Sequence, residues 1–402
     1  MINVGVIDIK TGVRVRNKFE IEVKDVKTGK VVQKAFAHNA ILDAGFSRIV
    51  STSAQTNWSR YVHFGSGTGT LELDRTSLFT FVGAKDGGFS ESMHEKVWDV
   101  PPEPIYFTRK VVILPAEHVG VTFTEVGVGA STSSSSLSTH AFIEDSEGNP
   151  ISIGPKTDTQ EITIYATVYL EFDPSNNIQL TKLNEAQLYF NYIVAALLTG
   201  EFNRLNETST STISNGIGFR MNNIKGATDP ATNYSTTGAF GSQIGVAFTI
   251  SDAANKQRKT PRIRFEAGSG TGKCWGITCN QGSSTSTSSR GSCFRMEFPN
   301  AYYTGHQFQG KAIGTGDGTT TIFELPWDDI NEGKAKTWYV DGVETPATII
   351  ENTTSSTKIE FASAPANEAP ITGDWWVDYV PKDAEHILDI TFTINVSDGN
   401  VA

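Results

Sequence analysis

Four sets of residues in this chain have types and spacings that could do chemistry. The first is residues 267–274, AGSGTGKC, a glycine-rich run with a lysine that follows the strand-like residues 262–266. The amides of such a loop can cradle phosphate, but the full motif needs Ser or Thr after the lysine to hold magnesium, and a helix whose N-terminus faces the phosphates. Cys274 stands in that place and the next residues alternate like a strand, so the run reads as a glycine turn. Residues 65–70 and 314–318 read the same way, as turns in which glycine permits positive φ. No cofactor is expected.

The second set is Cys274, Cys279 and Cys293, all in one segment. If that segment is a hairpin with its tip near Ser286, Cys279 and Cys293 are cross-strand neighbours, and a disulfide, a metal site and plain buried thiols are the alternatives. There is no C-x-x-C pair and no nearby histidine to suggest zinc. A chain assembled in a reducing cytoplasm keeps its thiols, so reduced, buried thiols are expected.

The third set is acidic. Asp328 with Asp329, and Asp374 with Asp378, could supply the carboxylate pair of a sugar hydrolase. In a chain with 44 acidic and 33 basic residues, such pairs read first as solvated surface. The seven histidines, among them His118 and His140, are scattered without metal-ligand spacing. The chain has no G-x-S-x-G elbow, no H-E-x-x-H and no regular coil repeat of the kind a β-helical depolymerase shows. The expectation is a protein that is not an enzyme and holds no metal. The fourth set is aromatic: Trp327, Trp338, Trp375 and Trp376 could stack on a glycan, although the same faces fill cores, and core packing is the simpler reading.

The elements that would position these residues are mostly strands. The chain has 402 residues, 38% of them hydrophobic and 19% charged, with 37 glycines, which suits a turn-rich globular protein of two or three domains. A formal net charge of -11 and a pI near 5.2 argue against binding a phosphate backbone, so nucleic acid is not an expected partner. No apolar run reaches the roughly 18 residues that a membrane span needs. The opening MINVGVIDIKTG lacks the basic-then-apolar order of a signal peptide. A soluble chain without membrane insertion is expected.

Phe19, Ile21 and Val23 alternate with charged residues, and Lys27-Thr28-Gly29-Lys30 turns into Val31, Val32 and Lys34, which predicts a hairpin. Leu42, Gly45, Phe46 and Ile49 follow Asn39 at helical spacing, which predicts a short helix capped by Asn39. Residues 61–64 and 110–114 read as strands, and residues 81–104, rich in Gly, Ser and Pro, as an irregular excursion. The period-two alternation from Ile162 to Phe172 is a half-buried strand.

One pattern occurs twice. Residues 122–145 enter a Ser/Thr tract through a V-G-V step and leave it through alternating apolar residues, and residues 274–300 do the same around W-G-I. Each predicts a hairpin with a long polar tip, in which Ser131, Ser133 and Ser135, and in the second copy Ser283, Ser286 and Ser289, are candidate interaction residues. The strand of residues 388–396 repeats that of 162–172, and Lys382-Asp383 repeats Lys156-Thr157-Asp158. Residues 183–198 have apolar residues at helical spacing, in a position that resembles that of the helix of residues 39–50.

The copies differ by an insertion near residues 314–379, with strand-like runs at 320–325, 337–340, 358–361 and 375–380 and Asp341-Gly342 as its tightest turn. The fold expected is mainly β, with two tandem antiparallel β-sandwich domains and short helices, the second domain carrying an inserted small β-sandwich module. Residues 1–174 would form the first domain, 175–310 and 382–402 the second, and 311–381 the module.

The order NAILDAGFSRI, HFGSGTGT, FTEVGV, a Ser-rich tip and AFIEDSEGNPISIGPKTDTQEITIYATVYLEF resembles the β-rich domain of minor virion proteins of tailed bacteriophages, the proteins of tail fibres, baseplates and collars. IGTGDGTTTIFEL, TWYVDG and KIEFASAPANEAPITGDWWVDYV, with the return KDAEHILDITFTINV, resemble a small β-sandwich module that recurs in such proteins. The resemblance implies a structural virion protein, made in the host bacterial cytoplasm, whose partners are other phage structural proteins and further copies of itself. It brings no catalytic motif. The alternative is a receptor-binding protein that recognises a host-surface polysaccharide through the inserted module.

Overall fold

The computed structural model describes residues 2–51, 58–93, 106–114, 117–172, 217–223, 225, 239–246, 250–268, 270–281, 292–299 and 303–399. The chain is mainly β, folded into several sheets. In the first part of the chain β1 (Ile2–Asp25), β2 (Val31–His38), β3 (Ala40–Ile41) and the helix α1 (Asp43–Ile49) are followed by β4 (Tyr61–Gly65), β5 (Phe81–Asp86), β6 (Gly88–Met93) and β7 (Tyr106–Leu114). β8 (Glu125–Gly129), β9 (Thr139–Phe142) and β10 (Gln160–Phe172) complete it. The second part holds β11 (Ile217–Asn222), β12 (Ala239–Val246), β13 (Ile250–Asp252), β14 (Gln257–Lys259), β15 (Ile263–Phe265), β16 (Gly272–Cys274), β17 (Gly276–Gln281) and β18 (Ser292–Glu297). The insertion follows as β19 (His306–Thr315), β20 (Ile322–Glu324), β21 (Thr337–Val340), β22 (Val343–Glu344), β23 (Ala347–Asn352), β24 (Thr357–Phe361) and β25 (Pro370–Val377), and the chain closes with β26 (Val380–Lys382) and β27 (His386–Asp398).

The repeat in the sequence is a repeat in topology. One sheet runs β5-β4-β8-β9 with β3 at its end, and another runs β12-β11-β17-β18, the same order in the same sense. In each sheet the glycine of the repeated step pairs with the corresponding neighbouring strand: Gly127 of V-G-V with His63 on β4, and Gly276 of W-G-I with Asn222 on β11. The closing strands also correspond. β10 pairs antiparallel with β7, and β27 pairs antiparallel with β14 and β15.

The two copies are joined by a strand longer than the sequence indicates. Its second half, from Val13, pairs antiparallel with β10, while its first half, through Val15, pairs with β27 in parallel. Both closing strands therefore add to β1, and one sheet passes from β13 through β14, β27, β1, β10 and β7 to β6. The boundary drawn at residue 174 divides the sequence but not this sheet, and one ladder is parallel where only antiparallel ones were expected. Local periodicity cannot reveal such a pairing, because its partners lie at opposite ends of the chain.

One core runs through both copies. It contains Phe19, Ile21, Val62, Phe64 and Ile164 from the first, and Met221, Ile263, Phe265, Ile277, Ile390 and Phe392 from the second. Ile162, Ile164, Ala166, Val168 and Leu170 all face it. Burial of each large apolar side chain contributes about 1.5–3 kcal/mol, and a slip of one residue would turn the whole set outward, so the register is strongly fixed. The insertion has its own core of Phe308, Leu325, Ile330, Trp338, Ile359, Phe361, Ile371, Trp375 and Val377 between the sheets β19-β25-β21-β22 and β20-β24-β23.

Several local expectations hold. The opening hairpin forms, and Asp341 (φ 50°) and Gly342 (φ 74°) make the two-residue turn that pairs Val340 with Val343, as a type I′ turn requires. Others are corrected. Asn39 does not cap α1. The cap position is Leu42, without a side-chain hydrogen bond, and Asn39 is buried, donating through Nδ2 to Asn17 Oδ1 and Thr139 Oγ1. Residues 81–93 are two strands, not an irregular excursion. The chain leaves one sheet at Asp86 and joins the other at Gly88, and a Cβ on Gly87 between them would lie 2.8 Å from Lys110 Cβ. The insertion begins earlier than residue 311, since His306 already pairs with Val377. The helix expected at residues 183–198 lies outside the described residues.

Candidate functional site

Among the described residues, one dense polar site is one to which none of the motifs above points. Glu125 and His140 are both fully buried, and the carboxylate gathers four donors. Oε1 accepts from the amides of Gly67 (2.9 Å) and Thr80 (2.8 Å), and Oε2 from the Phe79 amide (2.9 Å) and His140 Nε2 (2.9 Å). Burial alone would raise the carboxyl pKa, but the His140 imidazole and then the amides of Thr80, Phe79 and Gly67 outweigh it and hold Glu125 below its ordinary value. The strap of residues 66–80 is thus clamped to the sheet by one charge.

The glycines before the strap serve this clamp. Gly65, Gly67 and Gly69 were expected to supply positive φ; none of them does. They supply closeness. A Cβ on Gly65 would lie 2.6 Å from Glu125 Oε1, one on Gly67 2.3 Å from Phe79 Cβ and 2.5 Å from the Thr80 amide nitrogen, and one on Gly69 2.3 Å from the Phe79 ring. Over the clamp, Phe79 stacks on Phe142 and the Arg75 guanidinium lies 3.6 Å from the Phe79 ring centroid. The alternation of glycine over residues 65–69 was the signal available in the sequence: it leaves one face of the chain bare so that a buried side chain can reach the backbone. With both oxygens saturated and no exposed surface, Glu125 is built to hold a loop, since a general base must reach a substrate proton.

The first Ser tip is folded on itself. Ser134–Ser136 form a 3-10 turn, the Ser136 hydroxyl hydrogen-bonds the carbonyls of Ser131 (2.8 Å) and Ser133 (2.7 Å), and His63 Nε2 reaches Ser131 O at 2.8 Å. Ser133 and Ser135 are exposed and Ser131 is half-buried. Ser283, Ser286 and Ser289 lie outside the described residues. Of the four tryptophans, Trp338 (4% exposed) and Trp375 (0%) are core residues of the insertion, which corrects the stacking alternative for these two: neither has a face to offer a glycan. Trp327 packs against the same core. Trp376 is half-buried, with the Lys334 ammonium 4.1 Å from its ring centroid.

The acidic pairs are engaged. Asp374 accepts from the Gly310 amide (2.6 Å) and Tyr339 OH (3.1 Å), and Asp378 from Asn331 Nδ2 (2.8 Å). Asp328 and Asp329 face the body of the protein at a seam. Lys273 contacts Asp328, Lys225 donates to both Asp329 oxygens at 2.8 Å, and Trp275 packs edge-on to Tyr379 with ring centroids 4.9 Å apart. Beside them the rings of His306 and His386 meet at 5.8 Å, and His386 Nδ1 lies 2.6 Å from Asp383 Oδ1. Burial, with smaller effects from His386 and Lys311, pushes the His306 pKa down to about 4.

The glycine run before Cys274 is a turn, as expected. Gly268, Gly270 and Gly272 have φ of 77°, 115° and 134°, and the following residues are strand β16, so no helix N-terminus faces a phosphate. The Cys274 thiol is buried and contacts Gly276 O at 3.1 Å. Cys279 pairs with Phe294, and Cys293 is the extra residue at a bulge in the backbone register. Among the described residues no group of His, Cys, Asp and Glu could hold a metal ion, and no helix is long and apolar enough to cross a membrane. No protein-family model matches the chain, and no curated protein and no solved structure matches it.

Proposed function

We propose that this chain is a structural virion protein of a tailed bacteriophage, a tail, baseplate, fibre-adaptor or collar component that acts through contacts with neighbouring phage proteins and further copies of itself. The observation that carries the reading is the shared strand. With β10 and β27 both added to β1, and one core behind them, the two copies form a single body, as a part that transmits position rather than turning over a substrate requires. The strong polar sites support the same reading, because Glu125 and the lysines of the seam hold loops and a module in place. The resemblance of the sequence to minor virion proteins supplies the setting.

Antibody labelling of purified particles, read by electron microscopy, tests this. Label at one fixed station, repeated by the symmetry of that station, is the expected result; protein found only outside particles would contradict it. The receptor-binding alternative rests on Trp376, a half-buried tryptophan of the insertion that, unlike Trp327, is not packed against its core. It requires that the full chain bind at least one member of a host glycan panel and that Trp376→Ala abolish that binding.

A further inference from the structure

The body and the insertion meet at Lys273 and Asp328, and the contact has more in it than a seam needs. Lys273 Nζ lies directly against Asp328 Oδ1, with side chains only 18% and 15% exposed. Yet Oδ1 has no hydrogen-bond partner: the amine touches the carboxyl group without standing where a hydrogen-bond donor to it would stand. Its hydrogen bond goes elsewhere, to Thr354 O at 2.6 Å. The backbone that presents Asp328 is fixed on several sides. Tyr379 OH donates to Asp328 O (2.8 Å), the Asp329 amide to Thr357 Oγ1 (2.8 Å), and the Ile330 amide to Asn352 Oδ1 (3.0 Å). Asp329 itself is held at φ 57°, a conformation that persists in a non-glycine residue only where its surroundings impose it. Trp275 and Tyr379, both buried, wall the site, with Lys273 Nζ 5.6 Å from the Tyr379 ring centroid.

A mostly buried amine held against a mostly buried carboxyl group, with a second carboxylate next in the chain, is the arrangement that amide formation needs. We propose that Lys273 and Asp328 condense into an intramolecular amide bond that staples the insertion to the body. The Nζ lone pair attacks Asp328 Cγ, the C–N bond forms, one C–O bond breaks, and the oxygen leaves as one water. From the ion pair, ammonium plus carboxylate becomes amide plus water, with no change of oxidation state and no co-reactant. Asp329, the next carboxylate in the chain, carries a proton from the attacking nitrogen to the leaving oxygen. The product keeps one N–H, which retains the bond to Thr354 O. Burial pulls the Lys273 amine below the ordinary lysine range, against the opposing charge of Asp329 and with that of Lys225, and so favours the nucleophilic form.

Mass spectrometry of the denatured full chain tests this without reference to where the protein resides, so the outcome is independent of the virion reading. The wild type is expected to be lighter than its sequence mass by one water, and digestion should yield a branched peptide joining the segments that contain Lys273 and Asp328. Lys273→Arg and Asp328→Ala should each restore the full mass. Asp329→Asn, which keeps the contact but removes the relay, should give two masses that converge slowly with time. A wild type at full sequence mass with only linear peptides would overturn the proposal, as would a loss of water that persists in both Lys273→Arg and Asp328→Ala. If a variant fails to fold, the wild-type mass and the branched peptide decide alone.

Discussion

Glu125 of the first copy and Cys274 of the second each stand two residues before the glycine of the repeated step, Gly127 and Gly276, but in different surroundings: Glu125 pairs with Gly65 on β4, whereas Cys274 lies on β16 and pairs with Val380 on β26. Glu125 gathers three strap amides and His140; a neutral thiol carries no charge with which to do so, and the Cys274 thiol donates to the Gly276 carbonyl. The next position diverges too. Val126 belongs to the body core, whereas Trp275 reaches into the core of the insertion and packs on Tyr379. One copy holds a loop with a charge, and the other holds a module with an aromatic anchor and paired ions. Where they agree is the lysine before each closing strand: Lys156 and Lys382 are both buried, and Lys382 donates to the carbonyls of Phe265 (3.0 Å), Glu266 (2.9 Å) and His386 (2.6 Å).

The largest expected effect separates the copies at these two residues. Glu125→Ala strands three amides and a buried imidazole and should cost about 3–5 kcal/mol, as removal of one member of a buried charged pair does. Cys274→Ala should cost about 1 kcal/mol, the ordinary value for a modest core change. Urea unfolding of both variants measures the difference, and equal costs would break the comparison. Gly67→Ala comes next, because its Cβ would meet Phe79 and the Thr80 amide; overpacking of this kind costs about 1–3 kcal/mol, read in the same experiment.

Acid should act on the insertion before it acts on the clamp. His306 has a depressed pKa, so its contribution is complete above its unfolded value of 6.5 and is lost as pH falls toward about 4. Glu125 is depressed from 4.5, so the clamp is complete above that value and weakens only below it. Thermal melts from pH 7 to pH 4 should therefore show a loss of stability that His306→Phe reduces and that begins before any contribution from the clamp is lost. Smallest of all, Ser133→Ala and Ser135→Ala, at exposed hydroxyls, should change stability by less than about 0.5 kcal/mol.

Much of the fold was legible because it is written in local pattern. The alternation from Ile162 to Leu170, the Asp341-Gly342 turn and the repeated V-G-V and W-G-I steps each depend on neighbours in sequence, and each is found. The pairing of β1 with β27 was not legible, since it joins residues at the two ends of the chain. Nor was the clamp. Glu125 looks like one polar member of an alternating strand, and its role depends on amides that a separate strap brings to it. Trp338 and Trp375 illustrate a different ambiguity: a tryptophan in a strand reads alike whether its partner is a sugar or the opposite sheet, and only the second layer, β20-β24-β23, shows that it is the sheet.

The central claim is that the two copies are one body because they share β1. Hydrogen exchange measured on the full chain in increasing denaturant tests it directly, by following amides of β10 and β27 separately. The account predicts that both strands lose protection together, at a single denaturant concentration. Opening of β27 at lower denaturant while β10 stays protected would show two units that merely touch, and would contradict it.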